Sequence, residues 1–273
     1  MPAFAIATPI LRATSRAPWR TILFATASVV ALSVSPPASA QCVLAPGSAS
    51  CPVDPANYPN GIDINGAGVF TLTIEDGVIV TPTDNGPGVT ATSGGAMVVG
   101  AENVAITTTG PVAHGMSVTS GALGSTVDLG GSIDATGAGA AGLIVNSTGA
   151  IDVSTAADIS GGSGLLGRGV VIGGNNTSAT LANSGIIGAA SDRAIVATSA
   201  GELTITNSGD ITGYVDLAGS APDPEIAAVT FDNSGTLELR NLTEVDGVLT
   251  EAVAVSDFGG DGMFNNLAGG TLT

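Results

Sequence analysis

The sequence predicts an all-β protein built as a parallel β-helix, and three observations lead to this prediction. The phrases LANSGIIG, ITNSGDITG and FDNSGTLEL begin at Leu181, Ile205 and Phe231, a spacing typical of structural repeats. Apolar and polar residues alternate within the copies, as in LTIT and IDVST, which is the period of a strand with one inner and one outer face. After residue 40, no segment has the period of an amphipathic helix. Three short strands with their turns make about 24 residues, one coil of a stack of about seven or eight.

Composition and charge limit the possible functions. The chain has 40 Gly, only 3% aromatic residues and no Lys, so its core must consist of small aliphatic side chains, and its many β-branched residues argue against disorder. All 23 Asp and Glu follow residue 50, whereas three of the six Arg lie in the first 20 residues; without that leader the net charge is −20. Such a surface repels phosphate backbones, which excludes nucleic-acid binding.

Residues 1–40 have the layout of a secretory signal peptide. Arg12, Arg16 and Arg20 form a basic opening, the apolar run TILFATASVVALSV follows, and SPPASA ends the segment with small residues. The apolar run is too short to span a bilayer comfortably. We therefore expect export and cleavage after Ala40.

Two cysteines follow the predicted cleavage site. Their short spacing and an oxidising compartment predict a small disulfide loop between Cys42 and Cys51. The only histidine, His114, is too far along the chain to complete a metal site with them. We expect neither a metal nor a cofactor.

The segment 41–87 is rich in proline, as in PVDPANYPNG and TPTDNGPG, and contains one strand-like run, GVFTLTIEDGVIV. This density of proline predicts an irregular N-terminal cap, which covers the exposed strand edges of the first coil. The repeats are then expected to fill residues 88–273.

An alignment of further copies predicts which residues stack. One row holds the aliphatic residue that follows a small residue, and a second row holds the strand residue before a turn. The first row is Met97, Met116, Leu143, Val170 and Ile195, and the second is Ile106, Val127, Val153, Leu181, Ile205 and Phe231. The spacings within both rows are typical of solenoid repeats.

The NSG phrases are interpreted as corners between strands. A left-handed backbone angle is cheap for Gly and tolerable for Asn, and stacked side-chain amides can form a ladder along the axis. The predicted corner residues are Asn183, Gly185, Asn207, Gly209, Asn233 and Gly235. We assign them a structural role rather than a ligand-binding one.

The copies become longer after Glu238. The segment 240–257 is the longest loop and is predicted to supply contacts, because loops project from a rigid rod. DFGGDG at 257–262 is similar to calcium-binding loops, but a single copy favours an ordinary loop. The final FNNLAGGTLT has the spacing of a corner followed by a strand, and we expect the natural polypeptide to continue beyond it.

The basic leader, the Cys pair at the mature N-terminus and the Gly-, Ser- and Thr-rich copies with NSGxI turns resemble the passenger region of a proteobacterial autotransporter. The resemblance covers nearly all of residues 1–273. It implies a right-handed β-helix at the cell surface, the outer membrane or the exterior. It also implies that the chain's own outer-membrane β-barrel translocator is a partner if the polypeptide continues.

No residue set in the sequence identifies a reaction. A serine triad needs a histidine base, but His114 occupies the position that Arg168 and Arg193 hold in later copies, which indicates a solvent-facing slot. Neither GDSG nor GxSxG occurs. The sequence therefore predicts no catalytic residues.

Carbohydrate-active enzymes also use β-helices, with carboxylates along one face. Asp128, Asp134 and Asp152 are expected to point outward, but they form no recognisable pair. The sequence therefore predicts a non-enzymatic, surface-displayed or secreted rod for adhesion, aggregation or envelope interaction, with an unknown receptor or glycan as partner. The alternative is a polysaccharide lyase or hydrolase on the same fold.

Overall fold

A computed structural model of the chain describes residues 42–53, 57–219, 228–238, 255–256 and 262–273. All of them belong to one compact unit, Ala38–Thr273. The predicted signal peptide, most of the segment 240–257 and all but the last residue of DFGGDG lie outside the described residues.

The described residues form strands and no helix. In chain order the strands are β1 (Val43–Ala45), β2 (Ser48–Cys51), β3 (Asn57–Tyr58), β4 (Ile62–Gly66), β5 (Phe70–Ile74), β6 (Ile79–Val80), β7 (Val89–Ser93), β8 (Met97–Thr108), β9 (Met116–Ser120), β10 (Ser125–Ala135), β11 (Ala141–Ser147), β12 (Ile151–Thr155), β13 (Asp158–Gly161), β14 (Arg168–Gly173), β15 (Ser178–Asn183), β16 (Ile186–Ser199), β17 (Glu202–Asn207), β18 (Asp210–Gly219), β19 (Val229–Asn233), β20 (Thr236–Glu238), β21 (Val255–Ser256), β22 (Met263–Asn266) and β23 (Thr271–Leu272).

These strands stack as three parallel faces of a solenoid of about seven turns, so the prediction of an all-β parallel β-helix is confirmed. Face A contains β4, β7, β9, β11, β14, the second parts of β16 and β18, and β21. Face B contains β2, β5, the first parts of β8 and β10, β12, β15, β17, β19 and β22. Face C contains β3, β6, the second parts of β8 and β10, β13, the first parts of β16 and β18, β20 and β23. The chain passes from face B to face C to face A in every coil.

Each face lines the interior with a continuous column of aliphatic side chains. The column of face A is Ile62, Val89, Met116, Leu143, Val170, Ile195 and Val215; that of face B runs from Leu72 through Val99, Val127, Val153, Leu181 and Ile205 to Phe231; that of face C is Val80, Ile106, Ile133, Ile159, Ile187, Ile211 and Leu237. All are buried. Burial of one such side chain contributes about 1.5–3 kcal/mol, so the stack itself is the core.

The two predicted rows are right except for their first members. Met97 pairs with Phe70 and Ser125 on face B rather than with Met116 on face A. Ile106 pairs with Ile133 on face C rather than with Val127. The copy that contains Met97 is therefore aligned with the wrong face. A small residue followed by Met, any residue and Val occurs both at Met97 on face B and at Met116 on face A.

Parallel stacking begins inside the segment 41–87, where the sequence predicts an irregular cap. β2 pairs with β5, β4 with β7, and β5 with β8. Four of the described prolines lie in connections between strands of this segment: Pro52, Pro59, Pro82 and Pro87. The stretch 57–80 is therefore part of the solenoid, since proline at a corner leaves the strand pattern intact.

The N-terminal end carries a small hairpin. β1 pairs with β2 in the only antiparallel arrangement among the described strands. A disulfide joins Cys42 to Cys51 across this hairpin, so the predicted disulfide loop is confirmed. The hairpin covers the free edge of β2, as an exposed strand edge requires.

Candidate interaction surface

The NSG corners join face B to face C through an internal ladder of amides. Asn183 Nδ2 donates to Asn207 Oδ1 and Asn207 Nδ2 donates to Asn233 Oδ1, each at 2.8 Å. Asn233 Nδ2 continues the ladder to Asn266 Oδ1 at 2.8 Å. The first three amides also donate to the carbonyls of Gly185, Gly209 and Gly235. The Asn side chains at 183, 207 and 233 are buried, so these three amides offer no surface to a ligand.

The corner from face C to face A has loops of unequal length and exposed apolar side chains. Val112, Leu165 and Leu166 are 54%, 50% and 57% exposed. They lie in the loops before β9 and β14. A Cβ atom added to Gly139, in the loop between these two, would lie 3.4 Å from Leu166 Cβ and 3.6 Å from Val112 Cγ2. The loops of three successive coils are therefore in contact and form one apolar surface.

Every Arg and His side chain in the part of the chain that the structure describes lies at this corner. Arg168 begins β14 and pairs with Ala141, while Arg193 pairs with Tyr214. His114 lies one coil below Ala141, whose N–H donates to His114 Nδ1 at 3.0 Å. We name this group the cationic corner, which comprises Val112, His114, Leu165, Leu166, Arg168 and Arg193.

The three basic residues, for which the sequence predicts a solvent-facing slot, are half-buried. Burial, and then the charge of Arg168, lower the pKa of His114. Burial, and then the charge of Arg193, lower the pKa of Arg168, while Asp216 raises it to a smaller extent. The strand pairing of successive coils brings like charges together at this point, and Asp216 offsets the effect of Arg193 on Arg168 only in part.

The guanidinium groups of Arg168 and Arg193 each have more N–H donors than the one that bonds to a loop carbonyl. Arg168 Nη1 donates to Leu166 O at 3.2 Å and Arg193 Nη1 donates to Leu165 O at 2.8 Å. Arg168 Nε is buried without a hydrogen-bond partner. The charge of Asp216, on the outer side of face A, acts on Arg168. Because a guanidinium carries five N–H donors, these two hydrogen bonds use only part of the capacity of each side chain.

An apolar stripe runs beside the cationic corner on the outer side of face A. Ile144 pairs with Val171 and Val171 with Val196 in successive coils. All three are half-buried, although they point away from the interior. Three residues of extended strand separate Val171 from Arg168, a distance of about 10 Å. The cations therefore lie between two apolar surfaces.

Face C carries a second feature, an open groove of about 500 Å³. Its lining includes Ser132, Asp134, Asp158, Ser160 and Ile186. Asp134 pairs with Ser160 and Asp158 with Ser132, so the two carboxylates are diagonal neighbours on adjacent coils. Sheet spacings put such positions about 8 Å apart. The sequence pattern singled out Asp134 but missed Asp158, because the pairing of coils is needed to bring them together.

The other predicted acids lie on a different face. Asp128 and Asp152 are exposed on face B, and Asp152 accepts a hydrogen bond from Thr180 Oγ1 at 2.6 Å. They do not contribute to the groove. Over the described ranges, no three His, Cys, Asp or Glu side chains come together as a set of metal ligands.

Comparison of the chain with family models, with curated proteins and with solved structures finds no match. Among the described residues, no helix is long and apolar enough to cross a membrane.

Proposed function

We propose that the chain is the exported, non-enzymatic rod of an autotransporter-like protein and that it acts in adhesion or aggregation by binding partners at its surface. The single observation that carries this proposal is the cationic corner. It gathers the described Arg and His side chains beside exposed Leu and Val on an otherwise acidic, repetitive rod. Contiguous apolar surface edged by polar groups is typical of interaction sites.

The state of His114 supports a binding role over a catalytic one. Its Nδ1 atom accepts the backbone N–H of Ala141, and the charge that lowers its pKa is that of Arg168, a cation rather than a carboxylate that could orient it. A general base of the serine-triad type needs both a free nitrogen that faces the nucleophile and an acidic partner. The surroundings of His114 favour a part in the corner's hydrogen bonding.

Export is tested by the mature N-terminus. The full chain should be produced in a Gram-negative host, and the protein recovered outside the cytoplasm should be sequenced from its N-terminus. We expect it to begin at Gln41. Recovery of an uncleaved chain from the cytoplasm alone would contradict the proposed export.

Adhesion is tested with the purified mature chain. Labelled protein should be retained by cell surfaces or by immobilised extracellular proteins and glycans, relative to an unrelated solenoid of similar charge. Equal retention of both proteins would overturn the proposed binding function.

The groove on face C supports a second candidate function, that of a glycoside hydrolase. The positions of Asp134 and Asp158 on the sheet are about 8 Å apart, a backbone spacing that is compatible with the separation of about 6.5–9.5 Å between the carboxyl groups of inverting glycosidases. One carboxyl group would protonate the leaving oxygen while the other activates water. Both side chains are exposed, which favours solvation over catalysis, so this function stays the alternative.

A hydrolase would release reducing ends from a polysaccharide, and a lyase would release unsaturated products. The mature chain should be incubated with neutral and acidic polysaccharides beside Asp134→Asn and Asp158→Asn variants. Products that appear with the wild type and disappear with either variant would replace the binding function by the enzymatic one.

A further inference from the structure

We infer that the cationic corner is the docking site for a protein partner that presents carboxylate groups beside apolar side chains. This inference rests on the proposed binding function and specifies the chemistry of the partner.

The first step concerns charge. Strand pairing gathers His114, Arg168 and Arg193 at one corner, where Arg168 lowers the pKa of His114 and Arg193 lowers the pKa of Arg168. Asp216 offsets the effect on Arg168 only in part, and each Arg donates a hydrogen bond to a loop carbonyl. Such an arrangement lowers its free energy when it binds an anion. A carboxylate fits the planar guanidinium with two parallel hydrogen bonds, and the spare donors of both Arg side chains can supply them.

The second step concerns the type of anion. A net charge of −20 on the mature chain repels densely charged partners such as nucleic acids and anionic bilayers over several ångströms. A protein segment carries few carboxylates, and these are spaced between other side chains. It can therefore approach one local cationic corner without the long-range cost of a polyanion.

The third step concerns the apolar surroundings. Leu165 and Leu166 flank the cations on one side, and Val171 of the apolar stripe lies on the other. Arg beside large apolar side chains is typical of the residues that dominate protein–protein binding. An acidic polysaccharide has no apolar side chains to cover these surfaces, so the composition favours a protein.

The fourth step concerns shape. Small-molecule sites are concave and enclose their ligand, whereas Val112, Leu165 and Leu166 are each at least half exposed and therefore project from the rod. A projecting surface with cations at its centre suits a macromolecular partner that brings its own complementary groove or strand. The occupant is thus an acidic, partly apolar protein segment.

The experiment uses the mature chain and immobilised probe peptides. The first peptide alternates Glu with Leu, the second replaces Glu by Lys, and the third replaces Leu by Ser. Polygalacturonate is the acidic-glycan probe. We expect the wild-type chain to bind the Glu–Leu peptide most strongly, and binding of the Lys–Leu peptide at equal strength would overturn the inference.

Variants locate the binding to the corner. The double variant Arg168→Gln, Arg193→Gln should bind the Glu–Leu peptide about a hundredfold more weakly, about tenfold for each charged contact. The double variant Leu165→Ser, Leu166→Ser should lose about tenfold. Glu202→Gln, which removes an exposed charge from face B, is the matched control and should bind like the wild type.

Unfolding curves of each variant separate binding from folding, since Arg168 and Arg193 also hold loop carbonyls. If the Gln variant fails to fold, the double variant Arg168→Lys, Arg193→Lys is used instead. Lys keeps the positive charge but lacks the planar guanidinium that forms two parallel hydrogen bonds with a carboxylate, so binding should still weaken about tenfold. Unchanged binding by a folded Gln or Lys variant would contradict the inference.

Two other outcomes would assign the corner to a different occupant and so overturn the inference. Polygalacturonate binding that depends on both Arg and not on Leu165 would indicate a glycan. Self-association of the wild type that disappears in the Gln variant would indicate a second copy of the chain. Adhesion that persists in the Gln variant would leave the proposed function standing while the inference fails, and absence of adhesion in the wild type would remove both.

Discussion

Two corners of the same solenoid are built on opposite principles. At the corner from face B to face C, an Asn–Ser–Gly turn recurs in successive coils, and its Asn side chains point inward and bond to one another. At the corner from face C to face A, loop length varies and side chains point outward, among them Leu165 and Leu166. Only the second corner gathers the basic residues of the described chain.

The difference separates structure from function within a repeat. A turn whose side chains bond to the coils above and below cannot vary in one coil without leaving partners unsatisfied in two others, so it is repeated. A loop that contacts water can change length and composition freely. In this chain the repeated phrase therefore marks the framework, and the departures from the repeat mark the candidate interaction surface.

The largest expected effect comes from inserting residues at each corner. Two residues, Gly-Ser, inserted between Ser208 and Gly209 would break the ladder and shift the register of β18 against β16, at a cost of about 4 kcal/mol or more. The same insertion between Ser163 and Gly164 lengthens a loop that already varies, and it should cost below about 1 kcal/mol. Chemical unfolding followed by circular dichroism measures both. Equal destabilisation would remove the distinction between the corners.

A smaller contrast is expected for alanine at one glycine of each corner. A Cβ on Gly209 would lie 2.1 Å from the carbonyl oxygen of Gly185, a backbone atom that cannot move without shifting the coil below. We expect Gly209→Ala to cost about 3 kcal/mol. Gly164 has nothing within 4 Å of such a Cβ, and its φ of +77° is the only penalty, so Gly164→Ala should cost about 1 kcal/mol. Similar unfolding midpoints for the two variants would contradict the close packing of the NSG corner.

The amide ladder itself is tested by Asn207→Ala. This change leaves the buried Nδ2 of Asn183 without its acceptor in the ladder and the buried Oδ1 of Asn233 without its donor. Unsatisfied buried groups cost about 1–3 kcal/mol, and we expect about 2 kcal/mol here. Thr206→Ala alters the neighbouring, outward-facing residue and should change the free energy of unfolding by below about 0.5 kcal/mol. Amide hydrogen exchange across β15, β17 and β19 would show whether protection is lost around the ladder, and unchanged protection would argue against it.

The sequence predicts the fold well where neighbouring coils share one pattern. Met116, Leu143, Val170 and Ile195 could be aligned because each follows a small residue, and they do form one column. Met97 was assigned to the wrong face because successive faces obey the same alternation. Backbone pairing with the coil below determines which face a strand joins, and a short stretch of sequence does not show this pairing.

The candidate surface was harder to predict for the same reason. The shared position of His114, Arg168 and Arg193 is visible in the sequence, but their burial is not. It arises from the stacking of residues 27 positions apart, as in the contact of Ala141 with His114. Asp158 was missed because its proximity to Asp134 exists only across two coils. Pattern reading finds equivalent positions, whereas the site depends on what lies directly above and below them.

The smallest effect tests whether the corner's burial matters for stability. The pKa of His114 is lowered by burial and then by Arg168, so the folded chain favours the neutral ring, whose Nδ1 accepts the N–H of Ala141. Because the unfolded chain binds this proton more readily, the contribution to stability is complete above the unfolded pKa near 6.5 and is lost as the pH falls from there through the folded pKa. We expect a loss of up to about 1 kcal/mol, the worth of one hydrogen bond.

His114→Asn keeps an acceptor without the titration, and it should flatten the dependence of the unfolding free energy on pH between about 7.5 and 5.5. His114 is the only histidine in the chain. If the unfolding free energy of this variant depends on pH as steeply as that of the wild type, the titration of His114 does not cause the dependence.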